Sequence, residues 1–115
     1  MPAFDFRGVC YNSPVELALE VVGGKWKMAI LWRLKDRLWR YSELRRSVGP
    51  VTHKMLTQQL RDLERDGLLT RTVFPVVPPR VEYTITDLGR STIPVIEVLQ
   101  KWGNSYRKRA EWVAV

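Results

Sequence analysis

The chain has 115 residues and a mass of 13.5 kDa, which suits one domain with a modest core. Its 19 Lys and Arg against 12 Asp and Glu give a net charge of +7, which favours a polyanionic partner. One Cys excludes an internal disulfide, no segment is apolar enough to span a membrane, and residues 1–14 lack the apolar run of a signal peptide. We expect a single cytoplasmic domain over residues 1–115.

The first predicted elements are two helices separated by glycines. Ser13, Pro14 and Glu16 form a start signal, in which Ser13 is the N-cap and Glu16 closes a capping box. This helix should end at Gly23-Gly24. A second helix is expected from about Lys25, because apolar side chains recur at helical spacing: Trp26, Ile30 and Leu34.

Two further helical patterns, over residues 41–48 and 52–67, are joined by a short turn. Gly49-Pro50 should end the first helix, and the hydroxyl of Thr52 can cap the second. The apolar face of the second helix consists of Leu56, Leu60 and Leu63. Helix, Gly-containing turn and helix is the helix-turn-helix arrangement.

The opposite face of the second helix carries basic and amide side chains: Lys54, Gln58, Arg61 and Arg65, with Thr57 beside them. Arg and Lys suit guanine and phosphate, Gln suits adenine, and Thr suits a methyl group or a phosphate. Read without its neighbours, the stretch also fits an ordinary amphipathic helix with solvated charges. Glu64 and Asp66 flank this face and should repel phosphate, so its N-terminal half is expected nearest to DNA.

A β-hairpin is predicted after Gly67, which suits the left-handed position that ends a helix. Residues 69–74 and 80–86 are typical of strands, and three prolines within residues 75–79 stiffen the connection. With Arg80 beside its tip, such a two-stranded hairpin is a wing. Arg80 is expected to contact a phosphate or the minor groove; the alternatives are a solvated hairpin charge or a pair with Glu82.

The last predicted helix begins after Thr86, which can cap it, and continues into the 100s, with Pro94 bending or breaking it. Residues 33–80 hold 11 Lys and Arg and 5 Asp and Glu, so this unit carries most of the excess positive charge. His53 has no Cys, Asp or Glu at metal-ligand spacing, and a phosphate contact is expected instead. We predict no metal, no cofactor and no enzyme activity, because no phosphate loop or nucleophilic constellation is present.

Several segments in this order resemble the HxlR-type winged helix-turn-helix transcriptional regulators, a MarR-like family. They are VGGKW at 22–26, IL at 30–31, RYSEL at 40–44, KMLTQQLRDLERDGLLTR at 54–71, VPPRVEYTITDLG at 77–89 and Trp102-Gly103. The resemblance covers about residues 13–103 and implies an α+β, mainly helical fold. It also implies a homodimer on operator DNA, with the first and last helices as its interface. On that basis 41–48 is the positioning helix, 52–66 the recognition helix and 75–80 the wing.

Members of this family often carry a redox- or electrophile-sensing Cys directly before the Pro of the first helix. Here Ser13 holds that place, and Cys10 lies four residues before Pro14. Arg7 and a helix N-terminus near Cys10 would both favour a thiolate, which makes Cys10 a redox-sensing candidate. A lone Cys is also compatible with a small buried hydrophobe.

The predicted function is a sequence-specific transcriptional regulator that binds double-stranded DNA as a homodimer on a palindromic operator, away from any membrane. The predicted DNA contacts are Arg45, Thr52, His53, Lys54, Thr57, Gln58, Arg61 and Arg80. Gln58 and Arg61 should read bases, whereas Arg45, Lys54 and Arg80 should bind the backbone. The alternative is a winged-helix module that uses its basic face on RNA or on an acidic protein partner.

Overall fold

The computed structural model describes residues 2–113, with side chains described as far as residue 109. Over this span the chain forms six helices and five strands and is mainly helical, which confirms the predicted α+β class. In chain order the elements are β1 (Phe4–Phe6), β2 (Val9–Tyr11), α1 (Pro14–Val22), α2 (Lys27–Leu34), β3 (Trp39–Arg40), α3 (Tyr41–Val48), α4 (His53–Arg65), β4 (Leu69–Phe74), β5 (Arg80–Ile85), α5 (Asp87–Arg90) and α6 (Ile93–Val113). Among these residues no helix is long and apolar enough to cross a membrane.

The N-terminal arm is a small antiparallel hairpin of β1 and β2, which the sequence analysis did not predict. Its two-residue turn, Arg7 and Gly8, has φ values of 51° and 77°, and positive φ at both positions is the geometry that matches strand twist in a tight hairpin. Phe4 stacks on Tyr11 across the pair at 5.7 Å between ring centroids. Strands of three residues are too short to show an alternating pattern.

The start of α1 differs in one detail from the prediction. Ser13 is the N-cap and Pro14 opens the helix, but the Ser13 hydroxyl makes no capping hydrogen bond. Glu16 instead accepts a hydrogen bond from the backbone N–H of Asn12, at 2.7 Å. The predicted capping box is therefore wrong, because β2 ends directly before the helix and brings the Asn12 N–H within reach of Glu16. The helix ends before Gly23, as predicted.

The core lies where α2, α3 and α4 meet the sheet. α2 begins at Lys27, two residues after the predicted start, and Trp26 serves as its N-cap residue. The predicted Leu56, Leu60 and Leu63 stripe of α4 is buried in this core. The whole buried apolar set is Ile30, Leu31, Leu34, Leu44, Val51, Leu56, Leu60, Leu63, Leu68, Leu69, Tyr83 and Ile96.

The predicted two-stranded hairpin of the wing is confirmed as β4 and β5, and β3 extends it to a three-stranded antiparallel sheet in the order β3-β5-β4. Leu69 pairs with Ile85 and Phe74 with Arg80, which leaves residues 75–79 as the tip. Trp39 of β3 pairs with Tyr83, and its indole N–H donates to the Arg33 carbonyl at 2.9 Å. β3 has only two residues, too few for a periodic sequence pattern, and it is defined by its pairing with β5.

The C-terminal helical region is interrupted before Pro94. Thr86 accepts a hydrogen bond from the Gly89 N–H and caps α5, as predicted. The chain then breaks at Ser91-Thr92, and Pro94 becomes the second residue of α6, where its missing donor costs nothing. Gly89 is required for packing, because a Cβ there would lie 2.1 Å from the Leu68 carbonyl oxygen.

Candidate nucleic-acid interface

The helix-turn-helix consists of α3, the turn at residues 49–52 and α4. Gly49 has a φ of 101°, and the Thr52 hydroxyl accepts a hydrogen bond from the Met55 N–H at 3.0 Å, as predicted. At the other end of α4, Gly67 has a φ of 81°, and the Leu68 N–H donates to the Leu63 carbonyl at 2.9 Å. Defined caps at both ends fix the length and the angle of this helix.

The predicted outer face of α4 is open to solvent. Lys54, Gln58 and Arg61 are exposed, and Thr57 is half-buried beside them. Arg45 and Arg46 add two exposed cations on α3. Among the described residues, none of the four cations in this group pairs with a carboxylate. They form a patch of unneutralised positive charge, which we call the basic patch: Arg45, Arg46, Lys54 and Arg61.

His53, the first residue of α4, contacts the first residue of α3. The Tyr41 hydroxyl hydrogen-bonds to Nδ1 of His53, and the two rings meet edge to face at 5.2 Å between centroids. This contact engages Nδ1 of His53 and does not involve its second ring nitrogen, Nε2. No group of three metal-ligating side chains occurs among the described residues.

The carboxylates in the C-terminal part of α4 are all paired. Glu64 lies 3.3 Å from Arg71 of β4, and Asp62 lies near Lys27 and Arg65. These contacts join α4 to α2 and to the sheet. Glu64, one of the two acids expected to repel phosphate, therefore has a cation beside it.

Asp66, the C-cap residue of α4, is held by two arginines. Its Oδ1 atom lies 2.9 Å from Nη1 of Arg7 in the N-terminal hairpin and 3.4 Å from Nε of Arg65. Burial by itself raises the pKa of Asp66, but the hydrogen bonds from Arg7 and Arg65 outweigh it, so the net pKa lies below the ordinary value of 3.8. This contact between the N-terminal hairpin and the end of α4 was not predicted, because it joins residues 59 positions apart in the chain.

Glu43, in the first turn of α3, also has a basic partner and a backbone hydrogen bond. Its Oε1 atom accepts a hydrogen bond from the Arg40 N–H at 2.8 Å and lies 3.5 Å from Arg37. The hydrogen bond from the Arg40 backbone lowers the pKa of Glu43, against a smaller opposing effect of burial. At the end of α3, Arg33 donates to the Ser47 hydroxyl and carbonyl at 2.7 and 2.9 Å. The positioning helix is thus held at both ends.

Arg80 is less available than the basic patch. Its guanidinium lies over the Phe74 ring, 4.4 Å from the centroid, and its Nε is 3.6 Å from a Glu82 carboxylate oxygen. The pairing with Glu82, one of the predicted alternatives for Arg80, is therefore present, and the DNA contact stays a prediction. The wing tip, residues 75–79, is exposed.

Cys10 is exposed on β2, directly across from Asp5. The alternative of a buried hydrophobic Cys is therefore wrong. Arg7 was predicted to favour the Cys10 thiolate, but its guanidinium pairs with Asp66. The hairpin that carries Cys10 is in direct contact with the end of α4.

A helix-turn-helix packed on a small sheet whose hairpin projects beside it defines the class of winged helix-turn-helix proteins. A family model described as HxlR-like helix-turn-helix matches residues 21–111. The chain is 46% identical over 101 residues to an uncharacterized HTH-type transcriptional regulator of Methanothermobacter thermautotrophicus, covering 88% of this chain and 77% of that protein. It is 48% identical over 99 residues to the HTH-type regulator YtcD of Bacillus subtilis, covering 86% and 79%.

The solved structures that resemble this chain are also structures of regulators. The reduced form of the redox regulator HypR superposes with a TM-score of 0.80 at 44% identity, covering 86% of this chain and 98% of that chain. The ytcD regulator superposes with a TM-score of 0.78 at 48% identity, covering 84% and 98%. The chain belongs to the HxlR-like helix-turn-helix family and is a DNA-binding transcriptional regulator. These relatives are all described as regulators.

Proposed function

We propose that the chain binds a palindromic operator in double-stranded DNA as a homodimer, with the N-terminal part of α4 in the major groove. The observation that carries this proposal is the basic patch. Four exposed cations on α3 and α4 lack a carboxylate partner among the described residues, whereas the cations around the end of α4 have one. Unneutralised cations beside a capped helix are suited to phosphates.

In this arrangement Gln58 and Arg61 read base edges, because they project from the middle of the exposed face of α4. Lys54 and Arg45 bind phosphates on either side, and the polar first turn of α4 adds Thr52 and His53. Thr57, half-buried next to Arg61, is placed for a methyl group or a phosphate. Arg80 contributes less, since Glu82 offsets its charge.

The proposed dimer uses α1 and α6. Both helices leave large apolar side chains exposed: Val15, Leu19, Val95, Val98, Leu99, Trp102 and Tyr106. Trp102 and Tyr106 stack on each other at 5.3 Å, which forms one continuous aromatic surface on α6. Such a surface on a DNA-binding domain suits a second copy of the chain. Two-fold symmetry then places the half-sites about one helical turn, roughly 10 bp, apart.

The test begins with selection of bound sequences from a pool of random DNA duplexes. We expect an inverted repeat, bound at least about 10³-fold more tightly than random duplex at physiological salt. Affinity should fall steeply between 50 and 200 mM salt, as counterion release requires. Sedimentation at micromolar concentration should give a dimer. A monomer whose binding is flat in salt, or one that prefers an RNA duplex of the same sequence, contradicts the proposal.

We further propose that oxidation of Cys10 alters operator binding. Two observations support this: Cys10 is an exposed thiol, and the same hairpin supplies Arg7 to Asp66 at the end of the recognition helix. Two Cys10 thiols, one from each subunit, can form a disulfide by losing two electrons and two protons to an oxidant such as diamide. One thiol alone can form a mixed adduct. Either product changes the arm that contacts α4.

The test compares operator binding before and after diamide, in the wild type and in Cys10→Ser. We expect loss of binding in the wild type only, reversed by dithiothreitol, with a covalent dimer or an adduct detected by mass. Unchanged binding, or an equal effect on Cys10→Ser, assigns Cys10 no regulatory role.

A further inference from the structure

The carboxylate of Asp62 connects the protein interior with the exposed face of α4. Its Oδ2 atom lies 3.9 Å from the ammonium of Lys27 on α2. Its Oδ1 atom accepts a hydrogen bond from the Gln58 amide nitrogen at 2.9 Å and lies 3.4 Å from Arg65. One oxygen therefore faces the core and the other faces the side chain that is placed to read a base.

Lys27 gives Asp62 a defined position. Lys27 is only 8% exposed, and the Asp62 side chain is 18% exposed. A charged ammonium that has lost most of its water requires an opposite charge or strong acceptors nearby. Among the described residues Asp62 is the carboxylate that supplies it. Because α2 is fixed in the core by Ile30 and Leu31, the carboxylate is held against a rigid element.

Gln58 gains an orientation from this contact. A glutamine amide has two N–H donors and one carbonyl acceptor, and it presents opposite edges when it rotates by half a turn. Asp62 accepts one of the two N–H groups, since a carboxylate only accepts. The second N–H and the carbonyl oxygen remain, and these are the donor and acceptor that match N7 and N6 of adenine in the major groove.

We propose that Asp62 is a positioning residue for base readout: facing the Lys27 ammonium with one oxygen, it accepts from the Gln58 amide with the other and orients that amide toward adenine. This inference rests on the proposed function, in which Gln58 contacts a base. A purely structural pair between α2 and α4 makes a different prediction. Its loss would weaken folding and would lower affinity for all DNA sequences alike, without changing which base is preferred.

The experiment is selection from a random duplex pool by the wild type and by Asp62→Asn. An asparagine at this position can accept from the Gln58 N–H or donate to the Gln58 carbonyl, so the amide is no longer restricted to one orientation and can present N–H groups to the groove. We expect the adenine preference at one position of each half-site to fall about tenfold and to move toward guanine, whose N7 and O6 are acceptors. The other positions of the operator should keep their preferences.

Three variants make the result specific. In a Gln58→Ala background, Asp62→Asn should have no further effect on base preference, because the oriented side chain is gone. Glu64→Gln, an equivalent change on the same helix at a carboxylate paired with Arg71, should leave the preference intact. Lys27→Met combined with Asp62→Asn removes both members of the pair, so it tests the same shift without a buried unpaired charge if Asp62→Asn alone is unstable.

Several outcomes would overturn the inference. An adenine preference that persists in both Asp62→Asn and Asp62→Leu, the second of which cannot accept from Gln58, assigns Asp62 to packing alone. A change of preference that is equally large without Gln58 does the same. A Gln58→Ala protein with the wild-type preference removes Gln58 from readout and the inference with it. A wild type that enriches no sequence at all overturns the proposed function itself, which distinguishes the two failures.

Discussion

The two halves of the recognition helix differ in what their charges contact. Residues 53–61 carry two cations and no carboxylate, and these cations have no carboxylate partner within the described span. Residues 62–66 carry three carboxylates and one cation, and each carboxylate lies beside a basic side chain: Lys27, Arg65, Arg71 or Arg7. One half is left with excess positive charge, and the other is neutralised by three different elements.

This difference indicates a division of tasks along one helix. The C-terminal half is joined by ion pairs to α2, β4 and the N-terminal hairpin, which fix its direction relative to the body. The N-terminal half contacts the rest of the fold through its cap, its buried leucines and the His53–Tyr41 pair, so Lys54 and Arg61 on its outer face remain available. A reader of DNA requires both properties, because base contacts depend on accurate placement of a free surface.

The largest expected effect concerns the buried leucine stripe, which runs through both halves of α4. Leu63→Ala should lower the free energy of unfolding by about 2–5 kcal/mol, because it leaves a cavity at a fully buried position. Urea denaturation measures this. Met55→Ala, at an exposed position on the same helix, is the matched control and should change stability by less than about 0.5 kcal/mol. Similar losses in both variants would mean that the apolar stripe does not hold α4.

The next effect compares two arginines one turn apart. Arg61→Ala should cost about 1–3 kcal/mol of operator binding and relax the preference at particular base pairs, with no change in Tm. Arg65→Ala should change binding much less, because Arg65 is occupied by Asp62 and Asp66. Fluorescence anisotropy on the selected operator measures both. Equal losses of affinity would erase the proposed difference between the halves.

A smaller effect concerns Asp66 and pH. Its folded-state pKa is lowered below 3.8, so its contribution is present above the unfolded pKa and is lost as pH falls through the folded pKa. Asp66→Asn should therefore cost on the order of 1 kcal/mol at pH 7 and progressively less below about pH 4. Denaturation at several pH values measures it. A difference for Asp66→Asn that stays constant with pH would exclude the Arg7 and Arg65 contacts as its cause.

The smallest effect is on the salt dependence of DNA binding, and it distinguishes cations without a carboxylate partner from Arg80, which has one. Lys54→Ala and Arg45→Ala should each reduce the slope of log affinity against log salt by about 1, for specific and random DNA alike. Arg80→Ala should reduce it less, because Glu82 already offsets that charge at 3.6 Å. Titrations at a series of salt concentrations measure the slopes. A reduction for Arg80→Ala as large as that for Lys54→Ala would place the wing in full contact with phosphate.

Much of the fold could be predicted because its signals are local. The bounds of α3, the Thr52 and Thr86 caps and the left-handed Gly67 depend on residues within one turn of each other. The hairpin of β1 and β2 and the strand β3 could not be predicted, because two or three residues carry no measurable periodicity. The Ser13 capping box was wrong for a related reason: the neighbouring strand brings another donor to Glu16.

The sequence by itself determined the helix-turn-helix and the basic outer face of α4. It also determined which residues lie on that face, since helical spacing alone assigns a side chain to a face. Only the tertiary structure decided which of these charges are free. Arg7 and Asp66 are 59 residues apart in the chain, and Lys27 reaches Asp62 from another helix. Pairing of this kind depends on how elements pack, and it separates the cations available to DNA from those that hold the helix in place.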